Sequence, residues 1–282
     1  MTKLIECPRD AMQGLHEFIP TPVKADYLNL LLQVGFDTLD FGSFVSHKAI
    51  PQLADTHEVL KKLDLSKSKT KLLAIIANKR GIEEAIQYPE ISFLGFPFSV
   101  SETFQKRNTN SGIQQSLITA ENIINACERA NKKAVIYLSM GFGNPYGDPW
   151  NTEIVEGIVN KLSELGVSIL SLADTIGVSD PEKIRYLYPY LISHFPKIEF
   201  GVHLHSTPLA TEEKIEAAWE SGCRRFDSAL RGFGGCPMAA DQLTGNIATE
   251  SLISFLIKEK EELNLNMEKW NEAIAYSGKI FG

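Results

Sequence analysis

Short apolar runs alternate along the whole chain with amphipathic stretches, and this alternation constrains the fold more than any other feature of the sequence. The strand-like runs fall at 4–7, 38–41, 71–77, 91–96, 134–139, 168–173, 198–204 and 225–229, about eight in all. Helical patterns occupy 22–34, 113–130, 152–165, 181–194 and 208–220. Several open on Thr or Asp followed by Pro, as at Thr21-Pro22, Asp180-Pro181 and Thr207-Pro208. Strict alternation of this kind predicts parallel strands. No Gly-x-Gly-x-x-Gly turn follows the first strand, so the expected fold is an α/β TIM (β/α)8 barrel rather than a Rossmann sheet. The 282 residues suit one catalytic barrel domain over 1–282, with additional C-terminal helices from about residue 250, at 250–262 and 267–277.

Composition excludes several functions. Hydrophobic residues make up 44% and charged residues 22% of the chain, the balance of a globular protein, and no apolar run nears the roughly 20 residues of a membrane helix. The first residues enter a strand-like run at once, with no secretory or transit pattern, so a cytoplasmic location is expected. A formal net charge of −7 argues against a broad nucleic-acid footprint, and any anionic ligand must be held locally. Cys7, Cys127, Cys223 and Cys236 show neither a zinc-ribbon nor a disulfide spacing. Cys127 and Cys223 read as small core fillers, whereas Cys7 and Cys236 each lie beside a proline near a strand end.

Barrel enzymes carry their chemistry at the C-terminal ends of the strands, so polar residues there converge however far apart they lie in sequence. Strand one ends in Arg9-Asp10, strand two in Asp40 and Ser43, strand six in Asp174-Thr175, and strand seven in His203 and His205. Strand eight runs into Gly232-Phe233-Gly234-Gly235-Cys236-Pro237. The period of two along a strand sends the imidazoles of His203-Leu204-His205 to one face, where they form a chelate. An isolated His-x-His is more often a hydrogen-bonded core pair, but its place at the catalytic end reverses that preference. Two imidazoles and a carboxylate suit a divalent ion, and the oxygen-rich surroundings favour Mg2+ or Mn2+. Arg9 and Asp10, as neighbours on a strand, are expected to point apart and take separate roles.

The segments Cys7-Pro8-Arg9-Asp10-Ala11-Met12-Gln13, Ser43-Phe44-Val45-Ser46, Ala173-Asp174-Thr175-Ile176-Gly177-Val178, His203-Leu204-His205 and Gly234-Gly235-Cys236-Pro237 resemble the signatures of the hydroxymethylglutaryl-CoA lyase family over nearly the whole chain. The resemblance implies a TIM-barrel metal-dependent lyase acting on an acyl-CoA, in which Asp10, His203, His205 and Asn246 hold Mg2+ or Mn2+. It gives Arg9 the developing enolate oxygen, which a doubly donating, permanently charged guanidinium suits. The hydroxyl proton goes to Asp10 or to a histidine beside it such as His203. Cys236 returns a proton to the enolate, and Asp40 and Asp174 stand as acidic groups near the metal. Gln13, Ser43 and Thr175 bind polar groups of the substrate or act as local hydrogen-bonders. Lys48, with Lys79 and Arg80, lies nearest in sequence to where CoA phosphates are expected. A homodimer is also implied.

The match departs from the family in four places. Glu6 stands one residue nearer Arg9 than the family's glutamate and is left off the catalytic residues. Asp40 replaces a glutamate, and the loop from Cys236 to Asn246 is one residue longer. Ser206 stands where relatives carry Asp or Asn, which removes a group able to orient His205. The rival readings are a Claisen-type synthase joining acetyl-CoA to a 2-oxo acid, and a barrel that binds CoA or a partner without catalysis.

Overall fold

The computed structural model describes residues 2–235 and 244–282. Eight parallel strands close into a barrel in chain order: β1 (Lys3–Glu6), β2 (Thr38–Ser43), β3 (Lys71–Ile75), β4 (Ile91–Ser99), β5 (Lys133–Ser139), β6 (Ile169–Asp174), β7 (Glu199–Leu204) and β8 (Arg225–Ser228). The ring closes where β1 pairs with β8, Ile5 opposite Asp227. Around it run α1 (Pro8–Gln13), α2 (Thr21–Val34), α3 (Thr56–Leu60), α4 (Lys79–Ala85), α5 (Glu102–Thr109), α6 (Ile113–Arg129), α7 (Thr152–Glu164), α8 (Pro181–His194) and α9 (Thr211–Glu220). The last two helices are α10 (Thr249–Lys258) and α11 (Met267–Phe281). This is the TIM barrel with added C-terminal helices that the alternation predicts. No helix among the described residues is long and apolar enough to cross a membrane.

Strand side chains divide between two cores. Leu73, Ile75, Phe93, Val135, Tyr137 and Ile169 pack inside the barrel, while the larger cluster lies between strands and helices. Because both faces are covered, the strands read as continuous apolar runs. Gly201 makes room inside for the buried Arg225, whose Cδ lies 2.9 Å from where a Cβ would stand. α11 lies along α2, with Tyr27 stacked on Tyr276 at 6.4 Å and Phe36 edge-on to Trp270 at 6.0 Å.

Three expectations about local structure are corrected. Pro8 cannot donate to a sheet ladder and instead opens α1, so Arg9 and Asp10 ride on a short helix rather than ending a strand. The helical turn brings their side chains together, Arg9 Nη1 donating to Asp10 Oδ1 at 2.9 Å, where a strand would have held them apart. Thr21-Pro22 does open α2 as expected, with Pro20 at the cap position, and Thr21 Oγ1 donates to Asp55 Oδ2 at 2.7 Å. The chain turns at 207–210 before α9 begins at Thr211, so Thr207-Pro208 is not a helix start. Asp180 does cap α8 as expected, accepting from the Lys183 amide at 2.8 Å.

Candidate active site

Asp10 on α1, His203 near the end of β7 and His205 just beyond it converge at the C-terminal mouth of the barrel. Their ligating atoms all lie within 4.8 Å of one another, and the two histidine Nε2 atoms are 3.2 Å apart. The other ring nitrogen of His203 faces Asp227 Oδ2 at 3.2 Å, an arrangement that turns Nε2 toward the shared centre. Burial, with the neighbouring His203 charge, pushes His205 down to about 4, so its lone pair is available at pH 7. Burial also opposes protonation of His203, but the hydrogen bond and charge of Asp227 outweigh it and raise its pKa. Burial alone would raise Asp10. The cationic Arg9 beside it, then the two histidines, hold it well below the usual carboxylate range. An anionic carboxylate and a neutral imidazole at such separations fit a divalent cation.

Arg9 is fixed on both sides. Its Nε and Nη2 donate to Asp40 Oδ2 at 3.0 and 2.5 Å, and Nη1 donates to Asp10 Oδ1 and Gln13 Oε1 at 2.9 and 3.0 Å. Four of the guanidinium's five N–H groups are thus engaged, which leaves one on Nη2 free among the described residues. Burial raises Asp40 to about 6 against the pull of Arg9, and its Oδ1 has no hydrogen-bond partner among the described residues. Asp40 does not line the cavity, so its contact is with Arg9 rather than with the space where a ligand sits. Gln13 also donates to Asp10 Oδ1 at 2.7 Å.

Asn246 reaches the centre through a short antiparallel bridge to His205. Its Nδ2 donates to Asp10 Oδ2 at 2.7 Å and to the Phe233 carbonyl at 2.9 Å. Cys236 lies outside the described residues. Glu6 points away from the cavity, accepting from the Leu230 amide at 2.8 Å and Thr249 Oγ1 at 2.6 Å, and burial pushes it up to about 8.

A cavity of about 530 Å³ opens beside the cluster, lined among others by Arg9, Gln13, Ser43, Thr175, Tyr137 and His203. Such a volume accommodates a small-molecule ligand. Ser43 Oγ donates to the Ile75 carbonyl at 3.3 Å, and Thr175 Oγ1 accepts from the Met140 amide at 2.9 Å. Each hydroxyl keeps hydrogen-bonding capacity toward the cavity it lines. Lys48 is exposed and off the cavity wall, and Lys79 and Arg80 pair with Glu83 and Glu84 along α4 at 3.7 and 3.5 Å. Arg107 of α5 also lines the cavity, its guanidinium 4.7 Å from the Tyr146 ring centroid.

Asp174 is engaged by its own loop. It accepts from the amides of Val178 and Ser179 at 2.8 and 3.0 Å, from Ser179 Oγ at 2.5 Å and from Lys214 Nζ at 2.9 Å. Asp227, Lys214, Arg107 and Tyr137 were not among the residues singled out in the sequence. Arg225-x-Asp227 carries the same period-two signal as His203-x-His205 and could have been found by it.

A parallel barrel with a three-ligand candidate metal centre at its C-terminal mouth defines the class of protein. The HMGL-like family model matches residues 4–275, and the chain belongs to that family. Hydroxymethylglutaryl-CoA lyase YngG of Bacillus subtilis is 33% identical over 262 residues, covering 93% of this chain and 87% of the relative. The cytoplasmic 3-hydroxy-3-methylglutaryl-CoA lyase of Homo sapiens is 32% identical over 274 residues, covering 96% and 73%. Among solved structures, the Bacillus subtilis HMG-CoA lyase superposes with a TM-score of 0.92 at 31% identity, over 99% of this chain and 93% of the other. An HMG-CoA lyase from Acinetobacter baumannii, in complex with coenzyme A and 3-methylmalate, gives a TM-score of 0.91 at 28% identity, over 99% and 91%.

Proposed function

We propose that this chain is a carbon–carbon lyase that cleaves 3-hydroxy-3-methylglutaryl-CoA to acetyl-CoA and acetoacetate, using Mg2+ or Mn2+. The observation that carries the reading is the meeting of Asp10, His203 and His205 beside the Arg9 guanidinium at the mouth of an open cavity. Asp10, His203 and His205, joined by Asn246, would hold the cation. When bound it supplies Lewis acidity, lowering the pKa of a tertiary hydroxyl and orienting the carboxylate of the acyl group.

The residues divide the remaining work. Asp10, held anionic by Arg9, keeps oxygen lone pairs beyond the one a cation would use and can accept the hydroxyl proton. His203, with Nδ1 on Asp227 and Nε2 toward the cation, has both ring nitrogens engaged and serves as a ligand. The free N–H of Arg9 Nη2 faces the thioester oxygen on which enolate charge collects as the C2–C3 bond breaks. Asp40 and Gln13 hold that guanidinium in place, and Cys236 returns the proton to the enolate carbon. Ser43 and Thr175 bind polar groups of the acyl chain, and Arg107 attracts the anionic end of CoA. Relatives of this chain include cytoplasmic and mitochondrial lyases, and we propose that this chain acts in the cytoplasm as a homodimer.

The test is an assay of purified protein with 3-hydroxy-3-methylglutaryl-CoA and Mn2+, both products being read by mass. Acetyl-CoA and acetoacetate in equal amounts are expected. Treatment with a chelator should abolish the reaction, and added Mn2+ or Mg2+ should restore it. Cleavage that survives chelation contradicts the role of the cation. Free thiol released steadily from acetyl-CoA and a 2-oxo acid, without cleavage of the acyl-CoA, would establish the synthase instead.

A further inference from the structure

The two histidines of the centre are held in different ways. The His203 ring has a partner in Asp227, but His205 Nδ1 is buried with no hydrogen-bond partner among the described residues. Ser206, which follows it, turns its hydroxyl to the Thr207 carbonyl at 2.9 Å and does not reach the ring. The hold on His205 comes from behind, through its backbone. Lys214, on the barrel-facing side of α9 and only 3% exposed, donates from Nζ to the His205 carbonyl at 2.9 Å. The same ammonium donates to Asp174 Oδ2 at 2.9 Å and to the Gly177 carbonyl at 3.2 Å.

Burying a lysine this completely is costly unless the charge is paired and its N–H groups are satisfied. Three acceptors match the three donors of an ammonium. The carboxylate of Asp174 balances the charge, and two carbonyls fill the remaining positions. One of them belongs to a residue of the metal centre and the other to the loop after β6, next to Thr175 on the cavity wall.

We propose that Lys214 is a positioning residue for the metal centre: anchored by Asp174, it fixes the backbone of His205, whose ring has no orienting partner at Nδ1 among the described residues. The inference rests on the reading of Asp10, His203 and His205 as cation ligands. Loss of an outer partner of a ligand lowers metal affinity by about 10- to 100-fold.

The experiment measures the affinity for Mn2+ alone, without substrate, together with thermal stability. Lys214→Met should bind Mn2+ about 10- to 100-fold more weakly and melt lower, because it leaves the Asp174 carboxylate buried and unpaired. The double variant Lys214→Met/Asp174→Asn removes that orphan charge, so most of the stability should return while Mn2+ affinity stays low. Lys214→Arg, which keeps the charge and the donors, should hold affinity nearer the wild-type value than Lys214→Met does. A double variant that regains both stability and wild-type affinity overturns the proposal, since the pair would then serve the fold alone. Wild-type protein that takes up no Mn2+ overturns the metal centre itself, and the role of Lys214 with it.

Discussion

Replacing Arg9 with Gln is expected to lower turnover by about 10³-fold while the protein still binds Mn2+. Removal of a single donor to a developing oxyanion costs about 10²- to 10³-fold, and this substitution removes a full charge as well. The geometry explains why no neighbour can substitute. Arg9 is held by Asp40, Asp10 and Gln13, and what it presents to the cavity is the donor left over from those bonds. Arg9→Lys should recover little, because an ammonium cannot span Asp40 and Asp10 with a planar fork and still face the ligand. Taking the cation from between two buried carboxylates also costs about 3–5 kcal/mol of stability, so rates must be compared at a temperature where the variant is folded. A kcat within a few-fold of wild type would remove Arg9 from the chemistry.

Gly234→Ala is expected to damage the centre as severely, although Gly234 carries no functional group. Its φ of +119° is one that a residue with a side chain rarely adopts, and a Cβ there would run into Asn246 Nδ2 and stand 2.7 Å from Asp10 Oδ2. The backbone of the loop therefore packs directly on two of the proposed ligands. An alanine must displace Asp10, Asn246 or the loop itself. Since about 1 Å of misplacement can cost 10²-fold, the expected result is at least that loss in kcat, with Mn2+ affinity reduced alongside. Steady-state kinetics and a Mn2+ titration on the same preparation check it. Wild-type values in both would show that the loop does not bear on the ligands.

The barrel was legible because its strands are buried on both faces, so each reads as an apolar run bounded by helical patterns, and the period-two spacing of His203 and His205 follows directly from strand geometry. α1 was not legible as a helix, since a six-residue segment is too short for periodicity and Pro8 reads equally as the end of a strand. The ion pair of Arg9 and Asp10 was missed for the same reason. Lys214 stands in a stripe of buried residues with Thr211, Ile215 and Ala218, at the 3–4 spacing of a core-facing helix. A lysine in that stripe is a visible anomaly, but its partners come from the end of β6, the loop after it and the residue just beyond β7, and only the folded chain identifies them. Arg107 differs again. It follows β4 on a helix of eight residues with little apolar pattern, and its place on the cavity wall is a matter of tertiary geometry. Lys48, nearer in sequence to a catalytic strand end, is turned to solvent.

The proposed chemistry requires one cation shared by Asp10 from the start of the chain and by His203 and His205 at the end of the seventh strand. Electron paramagnetic resonance of metal-free protein titrated with Mn2+ measures this directly. Wild type is expected to bind a single ion tightly, with hyperfine structure from nitrogen ligands, and both Asp10→Ala and His203→Ala should lose that site while remaining folded. Tight binding of Mn2+ that survives both substitutions unchanged would contradict it.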